Sequence, residues 1–533
     1  MATTRLPLDD FLRPLHVDVP KIHSLARSFC LTYTSLAAES HDQFLSTPIS
    51  DSILRPSGDE KGRYLAIDIG GTNLRVGFIQ LLGPAKAHSG QQNGDGADVS
   101  GKRSRVLRQL EKSWPIGEQL KYNQPVDLFA WIGRRIAEVV KDGCSAWPGE
   151  LPETIPLGVT FSFPMVQHTL SDATLMSMGK GFTITRNTDL GKVLLEGYEK
   201  SRYPGLPQIK ISAIANDSVA TLISFAYQFS NDPRSKAAMG LICGTGCNAT
   251  IPLALSKLHP SKRPTRVKVL DDTETDDDLK ITVNTEWTIK GAAGPLHELN
   301  FITKWDQKLD SEGDAPGFQP FEYMTAGRYL GELGRIIAVD YFTNHLSIPF
   351  SSLPPKLQQR LGLSTTFLGN LGPNLEATEN PMLKQLEKEL PPATGTESWK
   401  WTEEAAQVLY QIANAIQRRA AGLIAAAVIG LLACADEIHF PPSPSSTNHL
   451  SNGTSKSANP NADIDELMVG YTGGCIVHFQ HYLSDCQAFL DAIMEAEFGS
   501  HARPKVVLTP CHDGGIIGAG ILAGTVESIA HNT

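Results

Sequence analysis

Leu65-Ala66-Ile67-Asp68-Ile69-Gly70-Gly71-Thr72-Asn73-Leu74-Arg75-Val76 is the stretch on which the reading of this chain turns. An apolar strand delivers a carboxylate, then two glycines, then a hydroxyl and an amide. Gly70 and Gly71 permit positive φ, and without Cβ atoms they let backbone N–H groups approach a phosphate. Thr72 and Asn73 supply donors to its oxygens. Asp68 suits magnesium held through water, because that ion keeps much of its hydration shell. A plain β-hairpin also tolerates Gly-Gly, but here the carboxylate, both glycines, Thr, Asn and Arg75 occur together.

The same strand-then-glycine logic returns at Leu241-Ile242-Cys243-Gly244-Thr245-Gly246-Cys247-Asn248. Two weaker candidates are Gly470-Tyr471-Thr472-Gly473-Gly474 and Asp513-Gly514-Gly515. Around these turns strands and helices alternate in two batches, each opening with a strand and a glycine turn. Strands are expected at 63–82, 105–114, 155–163, 209–214, 239–243, 281–287, 467–471 and 506–508, and helices at 18–45, 128–140, 321–345, 401–435 and 479–498. Residues 84–103 and 441–462 lack large apolar side chains or are crowded with Pro, Ser and Asn, and read as disordered insertions. The pattern predicts two α/β lobes with mixed sheets, divided as 18–216 and 217–530, with a ligand in the cleft between them.

The 533 residues allow about two to four domains. A net charge of −10 argues against a generic phosphate-backbone binder, so no nucleic-acid partner is expected. Eight scattered cysteines without Cys-x-x-Cys spacing predict free thiols in a reducing, cytoplasmic setting. The apolar run Ala420–Ala435 is shorter than the roughly 20 residues of a membrane span, so it reads as a buried helix. Gly518-Ala519-Gly520 fits a loose dinucleotide pattern, but too little chain follows to build a βαβ unit. His478 and His481 lack an evident third metal ligand.

Ile67–Val76 resembles the first phosphate motif of the eukaryotic hexokinases, and Gly244–Ala249 resembles their second. Leu157–Pro164, Gly179–Phe182, Ile214–Ser218, Asn284–Trp287, Pro316–Glu322 and Tyr329–Glu332 follow the order of that family's further motifs. The resemblance implies a two-lobed, actin-like hexokinase fold and an ATP- and magnesium-dependent kinase for the 6-hydroxyl of a hexose or N-acetylhexosamine. It makes Asp217 the catalytic aspartate, although an aspartate there also suits a helix N-cap. Lys180, flanked by glycines, would contact both the sugar and the transferring phosphoryl group. Ser162, Asn216, Asn248, Glu286 and Glu322 would join Asp217 and Lys180 around the sugar. ATP would fall to Asp68, Gly70, Gly71, Thr72, Asn73, Arg75, Gly244, Thr245, Gly246, Gly473 and Gly474.

Four positions depart from the family pattern: Gly179 replaces a threonine, Thr288 a glycine, Thr472 an aspartate and Ile516 a glycine; Gly474 also stands where Ser or Thr is usual. Lost bulk at Gly179 and the change at Thr288 suggest room for a larger substituent, with N-acetylglucosamine ahead of glucose. A catalytically impaired, sugar-sensing regulator is the competing reading. Asp217, Lys180, Asn216 and both glutamates weigh against it, because nothing physical retains buried carboxylates in a chain freed from catalysis.

Overall fold

The computed structural model describes residues 6–54, 60–83, 105–117, 119–120, 125–176, 187–229, 233–269, 279–372, 381–392, 399–441, 461, 463–500 and 502–532. Lys180 and its flanking glycines, the first expected insertion and nearly all of the second lie outside these residues.

The strands are β1 (Leu45–Ser50), β2 (Lys61–Ile69), β3 (Asn73–Leu82), β4 (Val106–Pro115), β5 (Thr154–Phe161), β6 (Met165–Val166), β7 (Thr174–Leu175), β8 (Gln208–Ala215), β9 (Ser235–Cys243), β10 (Cys247–Ala254), β11 (Lys280–Asn284), β12 (Glu466–Thr472) and β13 (Lys505–Pro510). The helices that organise the site are α1 (Val19–Glu39), α2 (Pro125–Ala146), α3 (Leu190–Ser201), α4 (Asp217–Phe229), α5 (Gly327–Asn344), α6 (Glu403–Cys434), α7 (Tyr482–Phe498) and α8 (Gly514–Asn532). The expected helix at 321–345 is two helices, because Ala326 adopts an extended backbone between Pro320–Thr325 and α5.

One sheet runs β4-β3-β2-β5-β8 and the other β1-β11-β10-β9-β12-β13. In both, a three-stranded antiparallel meander continues into two parallel strands. Counting each sheet's own strands in chain order gives 3-2-1-4-5 twice, with β1 added at one edge of the second. The repeat explains why the sequence shows two batches, each opening on a strand and a glycine turn. β2 and β5 are buried along most of their length, as central strands should be.

Helices α2 and α3 cover the outer face of the first sheet, forming one apolar core with it. On the second sheet, α1, α6 and α7 share a larger core with β9–β12. The apolar run Ala420–Cys434 is buried within α6, a helix long and apolar enough to span a membrane by composition, here packed inside the fold. Between the sheets lie α4 and α8, which pack on each other; α8 also meets β2, β3, β5 and β8, while α4 meets β9 and β10.

The expected division at 216/217 is therefore crossed at both ends of the chain. The N-terminal helix α1 and strand β1 pack with the second lobe, and the C-terminal helix α8 packs with the first. Each buries an apolar face that its sequence neighbours leave uncovered.

Helix α8 is packed tightly on both sides. A Cβ at Gly518 would lie 2.0 Å from the Ala220 carbonyl oxygen of α4, and one at Gly158 of β5 would lie 1.9 Å from that of Ala519. Gly518→Val is expected to lower stability by at least ~1–3 kcal/mol, the usual range for overpacking. Gly294→Ala, where a new Cβ meets nothing within 4 Å, should leave the urea midpoint nearly unchanged; equal shifts for both variants would show that the crossing is slack.

Candidate active site

A cavity of about 320 Å³ opens between the two sheets, and turns from both lobes form its walls. On the first lobe, the β2–β3 turn brings Asp68, Gly70, Gly71, Thr72, Asn73 and Arg75 to the wall. The Gly70 N–H closes this turn on the Asn73 carbonyl at 2.9 Å, which leaves Thr72 and Asn73 exposed at its tip. Gly70 is not in the left-handed region. Its contribution is the missing side chain, not the positive φ expected for it. The left-handed glycine of the cavity is Gly473 (φ 120°), where a Cβ would press to 2.4 Å of the Cys243 carbonyl group.

The second lobe presents Gly244, Thr245 and Gly246 from the β9–β10 turn, and Thr472, Gly473 and Gly474 from the end of β12. The second turn is held by Gly244 N–H to Gly246 carbonyl (2.9 Å) and by the first turn of α5, whose Gly327 N–H donates to the Gly244 carbonyl at 2.8 Å.

Asp217 and Asp513 stand at matching places of the internal repeat, each between the fifth strand of its sheet and the helix that runs between the sheets. Both reach the cavity. Asn216, not Asp217, is the N-cap of α4. Its Oδ1 accepts from the Ser218 N–H at 2.9 Å and the Ser218 hydroxyl at 2.7 Å. Asn216 is buried and lies behind the wall formed by the described residues. It reaches the wall through Asn248, whose Nδ2 lies 3.5 Å from Asn216 Oδ1.

Ser162, Asn248, Glu286 and Glu322 line the other end of the cavity. Asn248 Nδ2 donates to Glu286 Oε1 at 3.2 Å, and Asn248 Oδ1 accepts from the Glu286 N–H at 3.1 Å. Glu286 is a non-glycine residue with φ 47°, a conformation costing of order 1–3 kcal/mol unless its surroundings impose it. The two Asn248 bonds and a 2.9 Å bond from Gln43 Nε2 to the Glu286 carbonyl impose it here. Glu322 Oε2 accepts from the Cys247 N–H at 3.1 Å, tying the sugar end to the glycine turn.

Sequence reasoning had not singled out Phe163, Pro164, Ile289, Phe318 and Gln319 as site residues, although all line the cavity. Phe163, Pro164, Phe318 and Gln319 sit inside motifs already quoted, which was the available signal. Arg108 carried none. It reaches Asp513 from β4, its Nη1 2.6 Å from Asp513 Oδ2, while Arg75 Nη1 holds Asp513 Oδ1 at 2.8 Å. Thr288 is buried and lies outside the cavity wall, so the expectation that it enlarges the sugar site is not met.

A hexokinase family model matches residues 238–525, more than half of the chain, and a second one matches residues 7–227. The chain belongs to the hexokinase family. Hexokinase-1 of Schizosaccharomyces pombe is 28% identical over 475 residues, which cover 88% of this chain and 80% of that protein. Hexokinase-9 of Oryza sativa subsp. japonica is 28% identical over 500 residues, covering 92% and 83%. In fold, the chain is similar to a solved hexokinase from Schistosoma mansoni complexed with glucose, with a TM-score of 0.71, 23% identity and coverage of 97% and 98%. Its activity is ATP-dependent phosphorylation of a hexose.

The acid–base character of this hexokinase site is set by crowding. Burial pushes the Asp68 carboxyl up to about 7, the negative charges of Asp217 and Asp513 push the same way, and Arg75 opposes them. A raised carboxyl binds its proton more tightly folded than unfolded. Its stabilising contribution is therefore complete below the ordinary value of 3.8 and is lost as pH rises through about 7. Asp68→Asn, which cannot ionise, is expected to gain melting temperature over the parent progressively from pH 5 to pH 8. A difference that stays flat across that range in calorimetry would mean that Asp68 is not buried against negative charge.

Proposed function

We propose that the chain transfers the terminal phosphoryl group of ATP to the 6-hydroxyl of a hexopyranose, with Asp217 as the proton acceptor. The observation that carries this reading is the single cavity on which the phosphate turns of both lobes, Asp217 and the Ser162–Asn248–Glu286–Glu322 group converge. Backbone N–H groups of the glycine turns receive the phosphates. Asn248, Glu286 and Glu322 hold the sugar by its hydroxyls, and their mutual bonds keep the set rigid before the ligand arrives. Asp217 stands at the first position of α4, on the cavity wall. A carboxylate so placed takes the hydroxyl proton as the oxygen attacks phosphorus.

Magnesium fits the hard oxygen donors of this floor. Among the described residues no three acidic, His or Cys groups converge to hold a metal alone. Asp68 would therefore hold the ion together with water and phosphate oxygens, and the ion would neutralise charge on the transferring group. Lys180 belongs to the same reading through its motif, as the residue that would follow the phosphoryl group.

The sugar is read as a hexose of the glucose type. Support comes from the intact polar set and from the similar Schistosoma mansoni hexokinase, which is complexed with glucose. The N-acetylglucosamine reading now rests on Gly179 alone, since Thr288 does not reach the cavity wall. A coupled ADP assay with glucose, fructose, mannose and N-acetylglucosamine is expected to show turnover, fastest with glucose. Asp217→Ala should reduce kcat by ~10²–10⁴-fold with an unchanged far-UV circular dichroism spectrum. Faster turnover of N-acetylglucosamine would reassign the sugar. Sugar binding without turnover of any hexose would favour the sensing regulator.

A further inference from the structure

Three of the eight free cysteines meet beneath the nucleotide turns of the second lobe, where the phosphoryl-transfer chemistry makes no use of them. Cys243 and Cys247 bracket the Gly244-Thr245-Gly246 turn, and Cys475 follows Gly473-Gly474. The Cys243 thiol lies 3.6 Å from both the Thr325 carbonyl oxygen and Tyr482 Oη, and the Cys475 thiol points to the same carbonyl at 3.9 Å. The proximity of Cys247 and then Cys475 holds the Cys243 thiol well below the ordinary thiol range, while burial and Cys243 hold Cys247 well above it. Cys247 is on the cavity wall; Cys243 is fully buried one layer behind.

Cys243 and Cys247 are directly opposed partners in the antiparallel β9–β10 pair. The Cys247 N–H donates to Glu322 and not across the ladder, which marks a non-hydrogen-bonded pair. Such pairs bring Cα atoms to about 4.5 Å, with side chains on one face. That separation is inside the range of about 4.4–6.8 Å a disulfide spans. Cys475 sits on a short helix and not on the ladder, so no strand register aligns it with either partner.

We propose that Cys243 and Cys247 are a redox modification site, forming a reversible disulfide that disables the second nucleotide turn. Hydrogen peroxide entering the cavity oxidises the Cys247 thiol to the sulfenic acid, the O–O bond breaks, and the second oxygen leaves as water. The Cys243 sulfur then attacks the Cys247 sulfur, the S–O bond breaks, and hydroxide departs with the Cys243 proton as a second water. Two thiols and one peroxide thus give one disulfide and two waters; a dithiol reverses the step by exchange. Joining the sulfurs shifts the backbone at Cys247, and with it the turn and the N–H that holds Glu322.

The test uses the full chain, exposed to hydrogen peroxide, alkylated and digested. Both cysteines fall on one tryptic peptide, residues 237–257. The expected result is that peptide lacking two hydrogens and resisting alkylation until dithiothreitol is added, with kcat/KM lowered at least tenfold and restored by the dithiol. Cys475→Ala should form the same bond, and Cys243→Ala should show no loss of two hydrogens in that peptide, its Cys247 gaining oxygen instead. Full alkylation of both cysteines after peroxide, or a bond from either one to Cys475, overturns the proposal. The mass readout stands whether or not the enzyme turns over glucose, so it separates this inference from the choice of sugar.

Discussion

The close crossing of α4 and α8 is the constraint on which the rest of the site depends. Both helices are buried between the sheets and both start at the cavity, one with Asp217 and the other just past Asp513. Gly518 against Ala220 lets the two helix backbones approach with no side chain between, as Gly158 of β5 does against Ala519 of α8. Any added bulk would separate the helices, and with them the two aspartates that face the nucleotide turns. The position of the proton acceptor is therefore set by packing within one helical turn of it, in a densely packed interior that transmits small displacements.

Charge balance at the cavity floor follows from this packing. Asp68, Asp217 and Asp513 are brought close enough for Asp68 to be held near neutrality of its proton equilibrium. Arg75 and Arg108 answer on one side only, gripping Asp513 from β3 and β4. Asp513 ends a segment leaving the second lobe, and both arginines belong to the first. This ion triad therefore ties the lobes at the point where the chain crosses between them. The remaining negative charge near Asp68 suits a divalent cation arriving with the nucleotide.

At the opposite end of the cavity, order comes from hydrogen bonding and not from burial of charge in apolar surroundings. Asn248 bonds Glu286 in both directions, Glu322 receives the Cys247 N–H, and Gln43 from the loop after α1 fixes the Glu286 backbone. The left-handed φ of Glu286 is thereby over-determined. It is the kind of local strain that a binding site tolerates when several neighbours hold it. Because α1 packs with the second lobe, this support comes from the far N-terminal part of the chain.

By itself the sequence pointed to the fold class, the two glycine turns and much of the polar cavity wall, because these are local: a strand period, a missing Cβ, a carboxylate at a strand end. Asp68, Gly70, Asn248, Glu286 and Glu322 announce themselves through their immediate neighbours. Only the tertiary structure decided which lobe owns α1 and α8, since an apolar helix face does not say which sheet will cover it. The same holds for Arg108, whose partner Asp513 lies 405 residues away in the chain. It also placed Asn216 at the helix cap and Thr288 off the cavity wall, because a side chain's direction depends on the backbone around it. The meeting of Cys243, Cys247 and Cys475 belongs to both levels: β9 and its glycine turn were legible, while β10, its pairing with β9 and the arrival of β12 beside it were not.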